Sequence, residues 1–415
     1  MNNLKVYVTG IGAVTSLGNS AGEMWNNIRA GRVGIGKLTK FESHDFPTKV
    51  ASEVHDLKPQ DYLDRKEIQR MDPFSCYATI AALQAIEDAK IDLEKEKYPD
   101  RIGVVLGVGF GGIQSFEKNS SKLLARGPTG VEPLFVPKFM GNSPAGQIAI
   151  KTGATGPCFI VASACTSATD AIGRALRCIK AGICDVVITG GAEGLISPLV
   201  FAGFSNLQAV STKFNDTPER ASRPFDKDRD GFVIGEGAGI LILESENHAN
   251  ERKAKRYSEL SGYGATCDAH HLTAPDPNGS GAQSAMRMAL KSSELEITDI
   301  DYINAHGTST PLNDPTETKA IKAVFGEHSK KLNISSSKSM LGHLLGGAGA
   351  VEAIIMAKAI EEQFFPPTAN LDSPDPACDL NYLPNIGIKK AMRAAISNSF
   401  GFGGHNGVIA MKKCN

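Results

Sequence analysis

An α/β fold built on buried strands is predicted by three features of this chain. Short apolar runs of strand length alternate with stretches of helical periodicity. Several of those runs end in glycine-rich turns, and the style of the first half returns in the second. At 415 residues, the chain is too long for one small domain and long enough for a large core.

The elements follow in order. Val6-Tyr7-Val8-Thr9 reads as a first strand, ended by Gly10. Residues 74–88 carry helical periodicity and many alanines, and residues 101–106 read as a buried strand. The apolar run Phe159-Ile160-Val161 precedes a helix over 168–181, and further strands fall at 185–189 and 240–243. Residues 244–256 form a charged helical connector. Beyond it come a strand at 257–264, a helix at 282–290, a strand at 300–304, a helix at 348–360 and a strand at 394–397. The pattern divides the chain into halves, 1–250 and 251–415.

Composition excludes several classes. The chain is 41% hydrophobic and 21% charged, with a net charge of -1, so it has no bulk charge to attract nucleic acid or a membrane surface. The opening Met1-Asn2-Asn3-Leu4-Lys5-Val6-Tyr7-Val8-Thr9-Gly10 does not read as a signal peptide, because its apolar run is too short. The most apolar later stretch, 186–204, is broken by Glu193, Pro198 and several glycines and does not read as a membrane span. Eight cysteines show no CxxC pair and no metal spacing. That usage predicts a reduced, cytoplasmic chain with no metal, in which most cysteines pack as small apolar side chains.

Three motifs carry chemistry. Cys165 stands in Ala162-Ser163-Ala164-Cys165-Thr166-Ser167, between a strand and a helix. Its small neighbours permit a sharp turn, and the helix macrodipole favours the thiolate. His306 follows a strand in Asn304-Ala305-His306-Gly307-Thr308-Ser309-Thr310, whose hydroxyls suit a polar substrate arm. His343 lies between Ser335-Ser336-Ser337-Lys338-Ser339 and Gly346-Gly347-Ala348-Gly349. One cysteine with two distant histidines fits thioester chemistry, since neutral imidazoles can donate hydrogen bonds to a carbonyl becoming an enolate. Near such a site Lys338 biases local pKa values or organises a polar network. The loop Asn398-Ser399-Phe400-Gly401-Phe402-Gly403-Gly404-His405-Asn406 can turn a backbone N–H toward a substrate oxygen, with Phe402 as a movable gate. Each residue also has an ordinary reading: a packed cysteine, a hydrogen-bonded histidine, a surface lysine, a tight turn. The glycine runs at 107–112 and 235–239 lack the spacing or context of a dinucleotide site.

Taken in order, Val8-Thr9-Gly10-Ile11-Gly12, Ser222-Arg223-Pro224-Phe225-Asp226, Asp230-Gly231-Phe232-Val233, Gly235-Glu236-Gly237, His306-Gly307-Thr308-Ser309-Thr310-Pro311, Lys338-Ser339-Met340-Leu341-Gly342-His343 and Phe400-Gly401-Phe402-Gly403-Gly404-His405-Asn406 surround one cysteine. Nearly the whole chain resembles the β-ketoacyl-(acyl carrier protein) synthases of the KAS II type. The resemblance implies a thiolase-like fold, a duplicated five-layer α-β-α-β-α arrangement. It implies Cys165 as acyl acceptor, His306 and His343 as the decarboxylation pair, and Lys338 as the supporting lysine. It further implies an oxyanion hole from the N–H groups of Cys165 and Phe402, with Phe402 as gate. Thr308 and Thr310 would hold the phosphopantetheine arm, and Phe110, Phe204 and Phe400 would line the acyl pocket. Arg65, Lys66 and Arg70 would meet an acidic carrier protein. The implied reaction is decarboxylative condensation of a malonyl group with a Cys-bound acyl chain. Its substrates ride on the 4'-phosphopantetheine of acyl carrier protein, so no bound cofactor or metal is expected. The implied partners are the carrier protein and a second subunit, with no nucleic acid and no membrane.

Three departures open an alternative. Ser163-Ala164-Cys165-Thr166-Ser167 and Pro366-Pro367-Thr368-Ala369-Asn370-Leu371 resemble the ketosynthase subunits of type II polyketide synthases, which pair with a cysteine-less chain-length factor. Phe110 stands where the family usually carries a smaller aliphatic residue at the floor of the acyl pocket, near the dimer partner, so its ring is expected to shorten that pocket. Against this, His306-Gly307-Thr308-Ser309-Thr310-Pro311-Leu312-Asn313-Asp314 resembles the fatty-acid enzymes throughout. A thiolase would need a second cysteine in a C-terminal glycine-rich loop, and neither Cys378 nor Cys414 lies in one. A KAS III enzyme would carry asparagine in place of His343.

Overall fold

The computed structural model describes residues 4–414, so the first three residues of the opening stretch, read above as no leader, lie outside it. Ten main strands form one mixed sheet: β1 (Val6–Val14), β2 (Ile102–Gly107), β3 (Cys158–Val161), β4 (Val186–Glu193), β5 (Gly237–Ser245), β6 (Ser258–Cys267), β7 (Ile300–Asn304), β8 (Asn333–Ser335), β9 (Ala394–Gly401) and β10 (His405–Lys412). Their order is β8-β7-β9-β10-β6-β1-β5-β4-β2-β3.

The order contains a repeat. In the first half β1 pairs antiparallel with β5 and β5 with β4, while β4, β2 and β3 run parallel. In the second half β6 pairs antiparallel with β10 and β10 with β9, while β9, β7 and β8 run parallel. The two five-strand sets thus share one topology. They meet where Tyr7 pairs with Glu259 and Val8 with Ser258.

Strand alternation builds the layers, because successive residues face opposite sides of a sheet. Leu241 and Leu243 of β5 join a central cluster with Ile409 and Met411 of β10. Two helices fill that centre: α2 (Ser167–Lys180) through Ile172 and Leu176, and α5 (Ala348–Glu362) through Val351 and Ile354. Ile240 and Ile242 face outward onto α1 (Pro73–Ala89), and Val408 and Ala410 face outward onto α3 (Ser280–Ser293). The result is α-β-α-β-α. Helix α4 (Asn313–Phe325) adds to the outer layer of the second half through Ile321 and Phe325.

Two boundaries differ from the sequence reading. β1 does not end at Gly10 but runs to Val14. Glycines 10 and 12 mark the close approach of α1: a Cβ at Gly12 would lie 2.0 Å from the Ala81 carbonyl oxygen, and one at Gly10 would lie 2.2 Å from that of Ala85. The loop expected over 398–406 is a hairpin, with β9 reaching Gly401 and β10 starting at His405. Among the described residues no helix is long and apolar enough to cross a membrane.

Candidate active site

The nucleophile and the first histidine follow strands, and the second histidine follows a short helix. β3 turns into α2 through Ala164, which holds φ = 52°, a left-handed conformation costly for alanine. This elbow pushes Cys165 into the interior, where it is 8% exposed. Asp170 on α2 braces the turn. Its carboxylate accepts hydrogen bonds from the hydroxyls of Ser163, Thr166 and Tyr263, the last at 2.7 Å. The hydroxyls at 163 and 166, which set this chain apart from its expected pattern, therefore serve the elbow, and neither lines the cavity above it.

His306 and His343 come from the second half, after β7 and after the short helix Lys338–Leu341. A ring nitrogen of each lies within 4.8 Å of the Cys165 sulfur and of the other. The two rings stand edge to face, with centroids 5.4 Å apart. The backbone N–H of Leu345 donates to His343 Nδ1 at 3.2 Å. Nδ1 is thereby the acceptor, and the proton of the neutral ring sits on Nε2. Nε2 has no partner among the described residues. This tautomer opposes a metal, which would need the Nε2 lone pair and a proton on Nδ1, facing another donor.

Electrostatics keep both rings neutral. Burial, followed by the Lys338 charge, holds the pKa of His343 well below the usual histidine range. The same two causes, with His343 added, act on His306. Lys338 is buried behind the cavity rather than lining it, in an ion pair with Glu352 of α5. The thiolate expectation gives way here. Burial pushes the Cys165 thiol up to about 11, opposed by Lys338 and by a hydrogen bond from the Phe402 N–H. That N–H reaches the sulfur because the β9–β10 turn lies on the elbow: a Cβ at Gly401 would be 3.0 Å from the Cys165 nitrogen.

The site opens into a cavity of about 910 Å³. Cys165, His306 and His343 line it, as do Thr308 and Thr310, whose hydroxyls are 2.9 Å apart. Its walls are aromatic. Phe204 contacts Phe110, Phe232 and Phe402, with ring centroids 6.0, 5.3 and 6.5 Å away, and Phe400 packs against His306. Phe110 and Phe400 also line the cavity. Arg65, Lys66 and Arg70 are exposed on and beside the helix Arg65–Gln69, and none of them lines the cavity.

The motifs did not reveal three buried acids. Glu317 accepts the backbone N–H groups of His306 and Gly307 at 2.9 and 2.8 Å, and the Asn398 amide at 3.1 Å. It fixes the His306 loop to α4. Glu352 neutralises Lys338, and Glu193 holds the loop at Gly109. Glu193 alone had a signal: it is the one acid of an otherwise apolar strand.

Residues 3–249 match the family model for the β-ketoacyl synthase N-terminal domain, and residues 257–372 match that for the β-ketoacyl synthase C-terminal domain. The chain belongs to the β-ketoacyl synthase family. It is 48% identical over 409 residues to 3-oxoacyl-(acyl carrier protein) synthase 2 of Synechocystis sp., covering 99% of this chain and 98% of that one. Among solved structures it resembles the ishigamide ketosynthase/chain length factor, with TM-score 0.92 and 33% identity, covering 99% of this chain and 100% of that one. A type II polyketide ketosynthase, solved with its acyl carrier protein and bound to a hexaketide, gives TM-score 0.91 and 34% identity, again over 99% and 100%. As a member of this family the chain is a condensing enzyme of the 3-oxoacyl synthase type.

Proposed function

We propose that the chain joins an acyl group held on Cys165 to a malonyl group delivered by acyl carrier protein, extending it by two carbons and releasing carbon dioxide. The carrying observation is the convergence of one thiol, two neutral imidazoles and the Phe402 N–H on a single apolar cavity.

The reaction divides into two stages. In the first, the carbonyl of an acyl thioester meets the N–H groups of Cys165 and Phe402. The sulfur attacks as its proton passes to the His306 ring, since both nitrogens of His343 are already engaged, Nε2 by its hydrogen and Nδ1 by the Leu345 N–H. The carbonyl re-forms, the carbon–sulfur bond to the carrier arm breaks, and the departing thiol takes the proton. In the second, the malonyl carbonyl lies against His343 Nε2–H and His306. The bond to the carboxylate breaks, carbon dioxide leaves, and the electron pair becomes an enolate held by those donors. Its carbon attacks the Cys165 thioester, forming the new carbon–carbon bond and expelling the sulfur as a thiolate, which takes a proton from water to restore the resting thiol. Both rings must be neutral for this. A protonated pair would hold malonyl's own carboxylate as a salt bridge and oppose its loss.

Lys338 acts through its charge, Thr308 and Thr310 face the phosphopantetheine arm, and Phe402 gates the passage. Phe110, Phe204 and Phe400 bound the acyl chain, with Phe110 shortening the pocket. Arg65, Lys66 and Arg70 meet the acidic carrier protein in the cytoplasm. The division at 250/251 sets the nucleophile in one half and both histidines in the other. The exposed edge strand β3, with Phe159 uncovered, offers a face for a second subunit, either a copy of this chain or a cysteine-less chain-length factor.

The deciding assay is β-ketoacyl product formation by the purified chain with malonyl-carrier protein and acyl primers of increasing length. Turnover by the chain alone is expected, with loss of both product and covalent acyl adduct in Cys165→Ala. Product that persists in Cys165→Ala overturns the reading. Turnover appearing only after a chain-length factor is added supports the polyketide form of it.

A further inference from the structure

Glu193 is the last residue of β4, fully buried, and takes no part in the two stages above. Backbone N–H groups from two different loops hold its carboxyl. Gly109 donates to Oε1 at 2.6 Å and Phe110 to the same oxygen at 3.3 Å. Gly346, three residues after His343, donates from the other side. The fit is tight. A Cβ at Gly346 would stand 2.4 Å from Glu193 Oε1 and 2.5 Å from the Gly109 nitrogen, and one at Gly109 would stand 2.7 Å from the same carboxyl oxygen. Glycine at 109 and 346 is therefore the counterpart of the buried acid. Burial pushes that acid up to about 8, and the three N–H groups pull it back.

Both clasped loops line the reaction cavity, whereas Glu193 stands behind its wall. On one side the clasp holds Phe110, a residue 42% exposed whose ring meets Phe204. On the other side it holds Gly346, next to Leu345, whose N–H sets the His343 tautomer. Leu345 itself has φ = 44°, so this turn has little freedom to absorb a shift. We propose that Glu193 is a positioning residue that couples the floor of the acyl pocket at Phe110 to the His343 loop at Gly346, so that the acyl chain on Cys165 sets the placement of His343. The inference rests on the reaction proposed above and adds a route by which chain length reaches the decarboxylation step. A packed, hydrogen-bonded path with defined positions at both ends is the physical requirement for such coupling.

The test compares turnover of malonyl-carrier protein by the full chain with Cys165 preloaded by acetyl or by octanoyl groups. Wild type should show a primer-dependent ratio of kcat values of about fivefold or more, and Glu193→Gln should bring that ratio close to unity. A purely structural role would lower both rates together and preserve the ratio, which overturns the proposal. A wild-type ratio of one also overturns it. Should Glu193→Gln not fold, amide hydrogen exchange on wild type decides. Acetyl and octanoyl forms should differ at Gly109, Phe110 and Gly346 together, and a difference at Gly109 and Phe110 alone overturns the coupling. Absence of any condensation by wild type would sink the proposed reaction itself, a separate outcome.

Discussion

At Cys165 two familiar influences oppose each other, and burial prevails. The helix start, Lys338 and the Phe402 N–H all favour a thiolate, yet the buried sulfur is pushed up to about 11. The resting group is thus a thiol, and its proton must leave as the thioester arrives. A direct consequence concerns alkylation. Inactivation by iodoacetamide should accelerate about tenfold per pH unit through the neutral and mildly alkaline range, following the thiolate fraction of a group that titrates higher still. A rate that levels off below about pH 8 would show a preformed thiolate and contradict this balance. The histidines differ from the thiol in this respect. Burial and Lys338 act on them in the same direction, so both rings stay uncharged, as oxyanion donors require.

Among the elements, the turns do the positioning. The three loops that carry Cys165, His306 and His343 each contain a non-glycine residue with positive φ: Ala164 at 52°, Ser309 at 68° and Leu345 at 44°. Such conformations persist only where the surroundings determine them, and here Asp170 and Glu317 brace two of the loops. Ala164→Val places a β-branched side chain in the left-handed region. It should cost about 1–3 kcal/mol in thermal or denaturant unfolding and lower kcat, while Ala164→Gly is nearly neutral in stability. A valine variant as stable as wild type would remove the case for a strained elbow. These turns also mark how far the sequence was legible. Cys165, His306, His343 and the alternation of elements were readable because residue type and local period encode them. The run of β1 through Gly10 and Gly12 was not, because the reason for those glycines lies in α1, more than sixty positions away. Glu317 and Glu352 were missed for the same cause: their partners, His306 and Lys338, sit on other elements, and no local pattern records the meeting.

For the molecule as a whole, two five-strand sets supply complementary halves of one site, and the acids buried around that site govern its response to pH. Burial raises Asp72 to about 6, Glu317 to about 7 and Glu193 to about 8. In each case the folded chain keeps a proton that the unfolded chain releases near the ordinary carboxylate pKa. The folded state therefore binds more protons in that window, and stability falls as pH rises through it. His248, raised by its hydrogen bond to Glu244, has the same sign: its contribution is present below pH 6.5 and is lost as pH rises through the elevated value. Glu244 has the opposite sign. Hydrogen bonds from Arg252, His248 and Thr9 outweigh its burial and hold it at about 2, so its contribution is present above the ordinary glutamate value of 4.5 and is lost as pH falls toward 2. Together these groups make stability fall as pH rises from about 7 to about 8, whereas His306 and His343, held well below the usual histidine range, act in the opposite sense as pH falls below about 6.5. Thermal unfolding followed across pH should show Tm declining from about pH 7 to 8 and collapsing below about 4. A Tm that holds level or climbs between about pH 7 and 8 would mean that the buried acids are already ionised in the folded chain, held by their backbone N–H donors rather than by protons.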